Sequence, residues 1–435
     1  MQRRLALLGA VAVLGAVFGM SRCKHGASQV ADAVSSARAV DAPAAAQTAA
    51  AQVDAGPPST REELLRGLEL SHLALGDDGA TSPLPQGRTA KLTLDTRLQR
   101  AATNLMQQHK LPEAAIVMVN PKNGEVLVYA SHIEGAPARD FCAEAKAPSA
   151  SVFKVVTASA LVERAGLSAD TKQCYAGGGE QRLTLGDLED NTARDRWCPS
   201  LATALGKSTN TVFARLASKH LSAHDLESTA HALGYGEAPS FDVPVEASRL
   251  SLPDDKLGFA RTAAGFWNST LSPLEAASLS ATMAHEGAPM RPFVVREIVD
   301  ASGAAIAGLP PPEPMRRAIK RDTAAAVTTM MEHTISEGTS YRSFHDSHGK
   351  PLLTGKSVAG KTGTLNDPDG QHLYSWFTGF APAHPAPGEA QIAIAVLVVN
   401  QPKWHVKANF IAREMLRAWA KEGESNTGAV AARAK

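Results

Sequence analysis

Aromatic residues are scarce, at 5% of 435 residues, and the 44% apolar fraction is inflated by alanine, so it says little about the size of the core. A charge excess of either sign is missing too. Forty-four Lys and Arg against 43 Asp and Glu leave a net charge of +1, which gives no reason to invoke nucleic acid or an acidic partner. Cysteine is limited to four residues, with no C-x-x-C spacing. That argues against a metal site built from Cys174, Cys198 and neighbouring acids, and no cofactor is expected. No internal repeat is present, so solenoids and arrays are excluded. Long apolar runs are confined to the N-terminus, where Leu5 to Met20 is uncharged behind Arg3 and Arg4.

That run of sixteen residues is long for a signal-peptide core and short for a spanning helix. No clean small-x-small site follows Met20, so an uncleaved anchor over 1–22 is expected, its basic end cytoplasmic. A cleaved signal is the alternative; a lipoprotein signal is opposed by Arg22 directly before Cys23. An exported chain can carry a disulfide, and Cys174 with Cys198 is the expected pair. Residues 23–88 read as an Ala-rich flexible tether that can hold one short helix after Thr60. The folded body is expected over 89–420, with a disordered tail over 421–435.

Within the body, Lys91–Asp95 alternates like a strand, and Asp95 can cap a helix from Thr96 to His109. Ala114–Asn120 and Glu125–Ser131 flank Pro121-Lys122-Asn123-Gly124, a hairpin signal. The middle of the chain is helical by pattern, and strands return over Ser357–Thr364, Tyr374–Phe380 and Gln391–Asn400. Ile392–Val399 is a continuous apolar run, expected as a strand buried on both faces. Strands first, a helical block, then strands and a closing helix over Val406–Lys421 predict an α+β fold with one sheet fed from both ends. His345, Asp346 and His348 are expected in a solvated loop.

Three short stretches carry chemistry. In Ser151-Val152-Phe153-Lys154, expected at a helix start with Ser149 and Pro148 as start signals, residues three apart share a face. An amine there can serve as base for a serine nucleophile. Gly206-Lys207-Ser208-Thr209-Asn210 places a hydroxyl and an amide two apart at another helix start. Lys361-Thr362-Gly363-Thr364 places a cation and two hydroxyls along a strand, with a glycine that permits close backbone approach. Each alone is weak. Together, in the order S-x-x-K, S-x-N, K-T-G, they form the signature of the serine β-lactamase and penicillin-binding superfamily.

On these motifs the chain resembles the transpeptidase domain of penicillin-binding proteins over about residues 89–420. The likeness extends to Leu92–Ala101, to the Val119–Leu127 hairpin, to Ser272-Pro273-Leu274-Glu275-Ala276-Ala277, and to Trp376-Phe377-Thr378-Gly379-Phe380. The resemblance implies an α+β fold, a mainly antiparallel sheet flanked by helices with a helical subdomain. It implies a serine D,D-transpeptidase that cross-links peptidoglycan stem peptides through an acyl-enzyme on Ser151, with β-lactams as inhibitors. Lys154 would be the base, helped by Lys361 through like-charge repulsion. Ser208 would relay a proton to the leaving amine, and Asn210 would hold the substrate amide and orient Lys154. Lys361, Thr362 and Thr364 would bind the terminal carboxylate, and the N–H groups of Ser151 and Thr364 would form the oxyanion hole. The enzyme would sit in the inner membrane as a single-pass protein with its catalytic domain periplasmic, working beside a glycosyltransferase partner. The roughly 90 preceding residues are far below ordinary enzyme-domain size, so a bifunctional enzyme is not expected. One departure stands out: Ala264-Gly265-Phe266-Trp267-Asn268-Ser269 replaces the Gly-Gln-Gly-like turn of many members.

Alternatives of the same fold are a D,D-carboxypeptidase and a β-lactamase, the latter opposed by the long gap from Ser208 to Lys361. A non-enzymatic β-lactam sensor or divisome scaffold would not need every motif residue, yet all are present.

Overall fold

The computed structural model describes residues 60–177, 182–401, 403–404 and 406–433, with side chains to Lys421. The anchor segment over 1–22 and Cys23 lie outside the described residues. In chain order the first elements are helix α1 (Arg61–Leu65), strands β1 (Ala74–Leu75), β2 (Ala80–Pro83) and β3 (Thr89–Leu92), helix α2 (Thr96–Gln108), and the hairpin β4 (Glu113–Val119) and β5 (Val126–Ile133). Helices α3 (Phe153–Glu163), α4 (Leu201–Gly206), α5 (Asn210–His220) and α6 (Ala223–Ala232) follow. Then come β6 (Arg249–Leu250), α7 (Lys256–Ala263), β7 (Ser269–Thr270), α8 (Pro273–Ala284), β8 (Val295–Val299) and β9 (Ala305–Ala307). The chain continues through α9 (Arg321–Ser336), α10 (Tyr341–Phe344), β10 (Ala359–Asn366), β11 (Leu373–Ala381), β12 (Ile392–Asn400) and α11 (Ala408–Arg433).

The main sheet is antiparallel throughout, in the order β10-β11-β12-β4-β5. The apolar run of β12 is explained by its neighbours. Side chains alternate across a strand. Ile392, Ile394, Val396 and Val398 pack with Leu98 and Met106 of α2 and with Ile411 and Met415 of α11. Ala393, Ala395, Leu397 and Val399 pack into the opposite cluster with α3 and α8. Both faces are covered, so nothing on the strand needs to be polar. Helix α8 is apolar nearly all round because it lies between the sheet and the helical half, and one of its few polar groups ties it to the sheet. Ser280 Oγ lies 2.6 Å from Thr378 Oγ1, and the Thr378 hydroxyl also lies 2.6 Å from the Ala276 carbonyl. The fold is α+β, as expected. Asp95 caps α2 by accepting from the Arg97 and Leu98 N–H groups.

The start of the folded body differs from the sequence-based expectation. Residues 60–88, expected as part of a tether, are folded: β1, β2 and β3 pair with β8 and β9 in a second antiparallel sheet. The Arg61 guanidinium donates to the Val295 carbonyl at 2.6 Å. These strands are two to five residues long, and β3 finds β8 some 200 residues away, so apart from the alternation at Lys91–Asp95, which overlaps β3, no local periodicity announces them. Helix α11 runs from Ala408 to Arg433, into the stretch expected as a tail.

Cys174 and Cys198 form a disulfide across a short ladder in which Tyr175 faces Trp197. Cys142 is free and buried.

Glu275, in the first turn of α8, is 6% exposed, and burial pushes its carboxyl up to about 8 from 4.5. Between these values the folded protein holds a proton that the unfolded chain has released. Stability therefore falls as pH rises through this window, by up to about 1.4 kcal/mol per pH unit, and levels off above it. Glu275→Gln is expected to flatten the slope in urea unfolding between pH 5 and 8; equal slopes in both proteins would refute this.

Candidate active site

Ser151 is presented by a strained turn. Ala150 has φ +48°, a left-handed conformation unusual for a residue with a Cβ, and a single 3-10 turn over Ala150–Val152 leads into α3. The helix thus starts at Phe153, later than the motif suggested, because Ala150 breaks the path into it. Ser149, expected as a start signal, makes no capping bond; its hydroxyl accepts from the Tyr235 hydroxyl at 3.0 Å. Two more contacts hold the approach to the turn: the Trp376 indole N–H donates to the Pro148 carbonyl at 2.9 Å, and the Ser149 N–H to the Ser269 carbonyl at 3.0 Å. Such strain costs on the order of 1–3 kcal/mol and persists only where surrounding contacts over-determine it.

One turn on, Lys154 is fully buried. Its Nζ lies 2.8 Å from Ser151 Oγ, 2.6 Å from Asn210 Oδ1 and 2.6 Å from the Ala264 carbonyl. The last partner comes from the segment that departs from the family turn. There Gly265 has φ +76°, and a Cβ on it would lie 2.5 Å from the Ala150 carbonyl oxygen. Glycine is what lets this segment back onto the nucleophile turn.

Ser208 sits between α4 and α5 with φ +60°, a second strained residue with a Cβ. Its Oγ accepts from Lys361 Nζ at 3.0 Å, and Lys361 also donates to the Thr362 carbonyl at 2.7 Å. Burial, and then the nearby Lys154 charge, hold the Lys361 ammonium well below its usual range. The α4–α5 joint is fixed by a close crossing of backbones. A Cβ on Gly338 would lie 2.1 Å from the Gly206 carbonyl oxygen, and the Thr339 N–H donates to that oxygen at 3.0 Å. Thr339 Oγ1 in turn lies 2.6 Å from Thr362 Oγ1. Strand β10 is brought to the turn by Gly363, whose added Cβ would lie 3.2 Å from that of Ala150.

The three motifs therefore converge, as their order suggested. Ser151, Ser208, Asn210, Thr362 and Thr364 line one cavity of about 340 Å³, together with Lys207, Thr339, Ser375, Trp376, Lys407 and Asn409. Lys154 and Lys361 stand behind its wall. No motif marks Thr339, Lys407 or Asn409: each reaches the cavity only through tertiary packing. A larger hollow of about 1060 Å³, bounded by Arg61, Asp242, Arg291 and Pro310–Pro314, contains none of the motif residues.

A serine hydroxyl on a buried amine, a second buried cation behind a second hydroxyl, and an open strand edge bearing hydroxyls form an acyl-transfer centre of the serine β-lactamase and transpeptidase class. Residues 114–417 match the model of the penicillin binding protein transpeptidase domain, and the chain belongs to that family. It is 27% identical over 375 residues to the peptidoglycan D,D-transpeptidase PbpA of Mycolicibacterium smegmatis, covering 78% of this chain and 71% of that protein. Its fold superposes with TM-score 0.63 on the D,D-transpeptidase domain of a peptidoglycan glycosyltransferase from Eggerthella lenta, at 22% identity, covering 77% of this chain and 83% of that one. The same score is reached with the imipenem acyl-enzyme complex of penicillin-binding protein A from Mycobacterium tuberculosis, at 24% identity, covering 76% and 79%.

Gly265→Ala is expected to displace the nucleophile turn. A shift of about 1 Å can lower a rate by roughly 100-fold. Stopped-flow acylation by a fluorescent penicillin, read beside the thermal melt, checks this; an unchanged acylation rate would contradict the role given to Gly265.

Proposed function

We propose that the chain is a serine D,D-transpeptidase that cross-links peptidoglycan stem peptides through an acyl-enzyme on Ser151. The observation that carries this reading is the bonding of Lys154 Nζ to Ser151 Oγ, Asn210 Oδ1 and the Ala264 carbonyl. A neutral amine has two N–H donors and one lone pair. Asn210 Oδ1 and the Ala264 carbonyl can only accept, so they take the two N–H groups. The lone pair is left facing the Ser151 hydroxyl, the orientation a general base needs.

In this reading Ser151 Oγ attacks the carbonyl of the penultimate D-alanine as its proton passes to Lys154. Negative charge gathers on the carbonyl oxygen, and the N–H groups of Ser151 and Thr364 receive it. The close approach of Gly363 to Ala150 supports that pairing. Collapse of the intermediate expels D-alanine, whose amine takes the proton that Lys154 gained, relayed through Ser208, which Lys361 holds in place. Thr362 and Thr364 meet the substrate's carboxylate. An amine of a second stem peptide then attacks the acyl-enzyme and gives up a proton to Lys154, which returns it to Ser151 Oγ as the ester bond breaks and the cross-link forms. A β-lactam acylates Ser151 by the same first step.

The name of the mycobacterial relative supports transfer to an amine as the second half-reaction. We place the catalytic domain on the periplasmic side of the inner membrane, held by the apolar segment over 1–22, with a separate glycosyltransferase supplying glycan strands. The Cys174–Cys198 disulfide suits an oxidising compartment.

Ser151→Ala is expected to lose all covalent labelling by penicillin; retained labelling would overturn the assignment of the nucleophile. With lipid-linked or nascent peptidoglycan, the wild-type protein is expected to yield cross-linked dimers. Release of D-alanine without dimers would make it a carboxypeptidase, and rapid release of opened β-lactam would make it a β-lactamase.

A further inference from the structure

The proposed reaction brings in a peptide that ends in a carboxylate, and the inference here rests on that reading. The cation nearest the motif threonines is badly placed for it. Lys361 is fully buried, its ammonium donates to Ser208 Oγ and the Thr362 carbonyl, and it does not line the cavity. Lys207 lines the cavity but has Glu337 at 3.9 Å. Lys407 is different. It lines the same cavity, is exposed, and has no carboxylate partner among the described residues. Its Nζ lies 5.6 Å over the Trp404 ring, which steadies the charge without neutralising it.

Lys407 is also held in register with the threonines. Ser375 lies directly across from Thr364 in the sheet, and the Ser375 hydroxyl accepts from the Ala408 N–H at 3.0 Å. The start of α11 is thereby fastened one strand away from the edge that carries Thr362 and Thr364. A helix of this length presents the positive end of its dipole there. Asn409 supplies a second, independent sign of a ligand. It lines the cavity, is 4% exposed, and its side-chain oxygen has no partner. Its amide nitrogen meets Ser340 Oγ at 3.2 Å. A hydroxyl both donates and accepts, so the amide turned over keeps a bond to Ser340 and frees its N–H₂ for an anion.

We propose that Lys407 and Asn409 are specificity-determining residues that bind the terminal carboxylate of the donor peptide from the α11 side of the cavity, while Thr362 and Thr364 bind it from β10. The carboxylate of a penicillin takes the same place. Lys361 then serves Ser208 and the electrostatics of the nucleophile, and the charge that recognises the carboxylate is Lys407.

The test compares second-order acylation rates of the full chain by penicillin G and by its methyl ester, which lacks the charge. Losing a charge-assisted hydrogen bond is worth roughly tenfold or more, so Lys407→Ala is expected to lower the acid-to-ester rate ratio by about that factor. Lys407→Arg restores most of the ratio, Asn409→Asp lowers it further by repulsion, and high salt narrows the gap between wild type and Lys407→Ala. A ratio within about twofold of wild type, or equal slowing of acid and ester, overturns the proposal. If neither compound acylates the wild-type protein, the acyl-transfer reading beneath it fails instead.

Discussion

Two lysines buried in one place set the terms for this structure. Lys154 and Lys361 are each wholly enclosed, and the hydrogen bonds described above reach neutral oxygens: hydroxyls, backbone carbonyls and one amide. Two ammonium groups in a dry interior repel each other and lose their hydration, so the charged form of the pair is disfavoured. Lys361 shows the consequence in its lowered pKa. The acceptors around Lys154 come from the turn before α3, from α5 and from the segment after α7, so these separate segments of the helical half must be in place before the amine is positioned.

The supporting strain is local and has identifiable braces. Ala150 and Ser208 both carry a Cβ at positive φ, and they bear on the nucleophile and the second hydroxyl. Each is pinned from outside its own segment: the Ala150 turn by Trp376, Tyr235 and Gly265, the Ser208 joint by Gly338, Thr339 and Lys361. Relaxing either residue to an ordinary conformation would move a hydroxyl away from its amine. Here stability is given up for geometry, which is the usual bargain at a preorganised site.

Legibility in the sequence followed range. The three motifs, the doubly buried β12, the α2 cap and the Cys174–Cys198 pairing could be read because each leaves a local or compositional mark. Most of the second sheet could not: apart from the stretch overlapping β3, its strands are too short to show alternation, and the β3–β8 pairing that joins its two parts spans some 200 residues. The start of α3 was misplaced because Ala150 is an ordinary alanine in sequence, and only the packing around it enforces a positive φ. Thr339, Lys407 and Asn409 carry no motif, and they join the site through a loop crossing and a helix start that no spacing predicts. Gly265 was visible only as a departure from a familiar turn, yet its backbone position against Ala150 is among the tightest contacts in the site.

The position of β10 at the end of the main sheet ties these points together. An unpaired strand edge is a liability, because it can pair with any other chain. Here most of that edge is covered. The turn before α3 and helix α9 pack on β10, and Gly363 sits against Ala150. Among the residues of β10, the cavity is lined by Thr362 and Thr364, at the point where Ser151 also opens into it. A short stretch of edge can receive an extended peptide while giving too little purchase for another protein's strand. Thr362, Gly363 and Thr364 thus occupy one interval of β10, with Ser151 opening beside it from the turn before α3, and what can reach the cavity is limited by how little of β10 is left open.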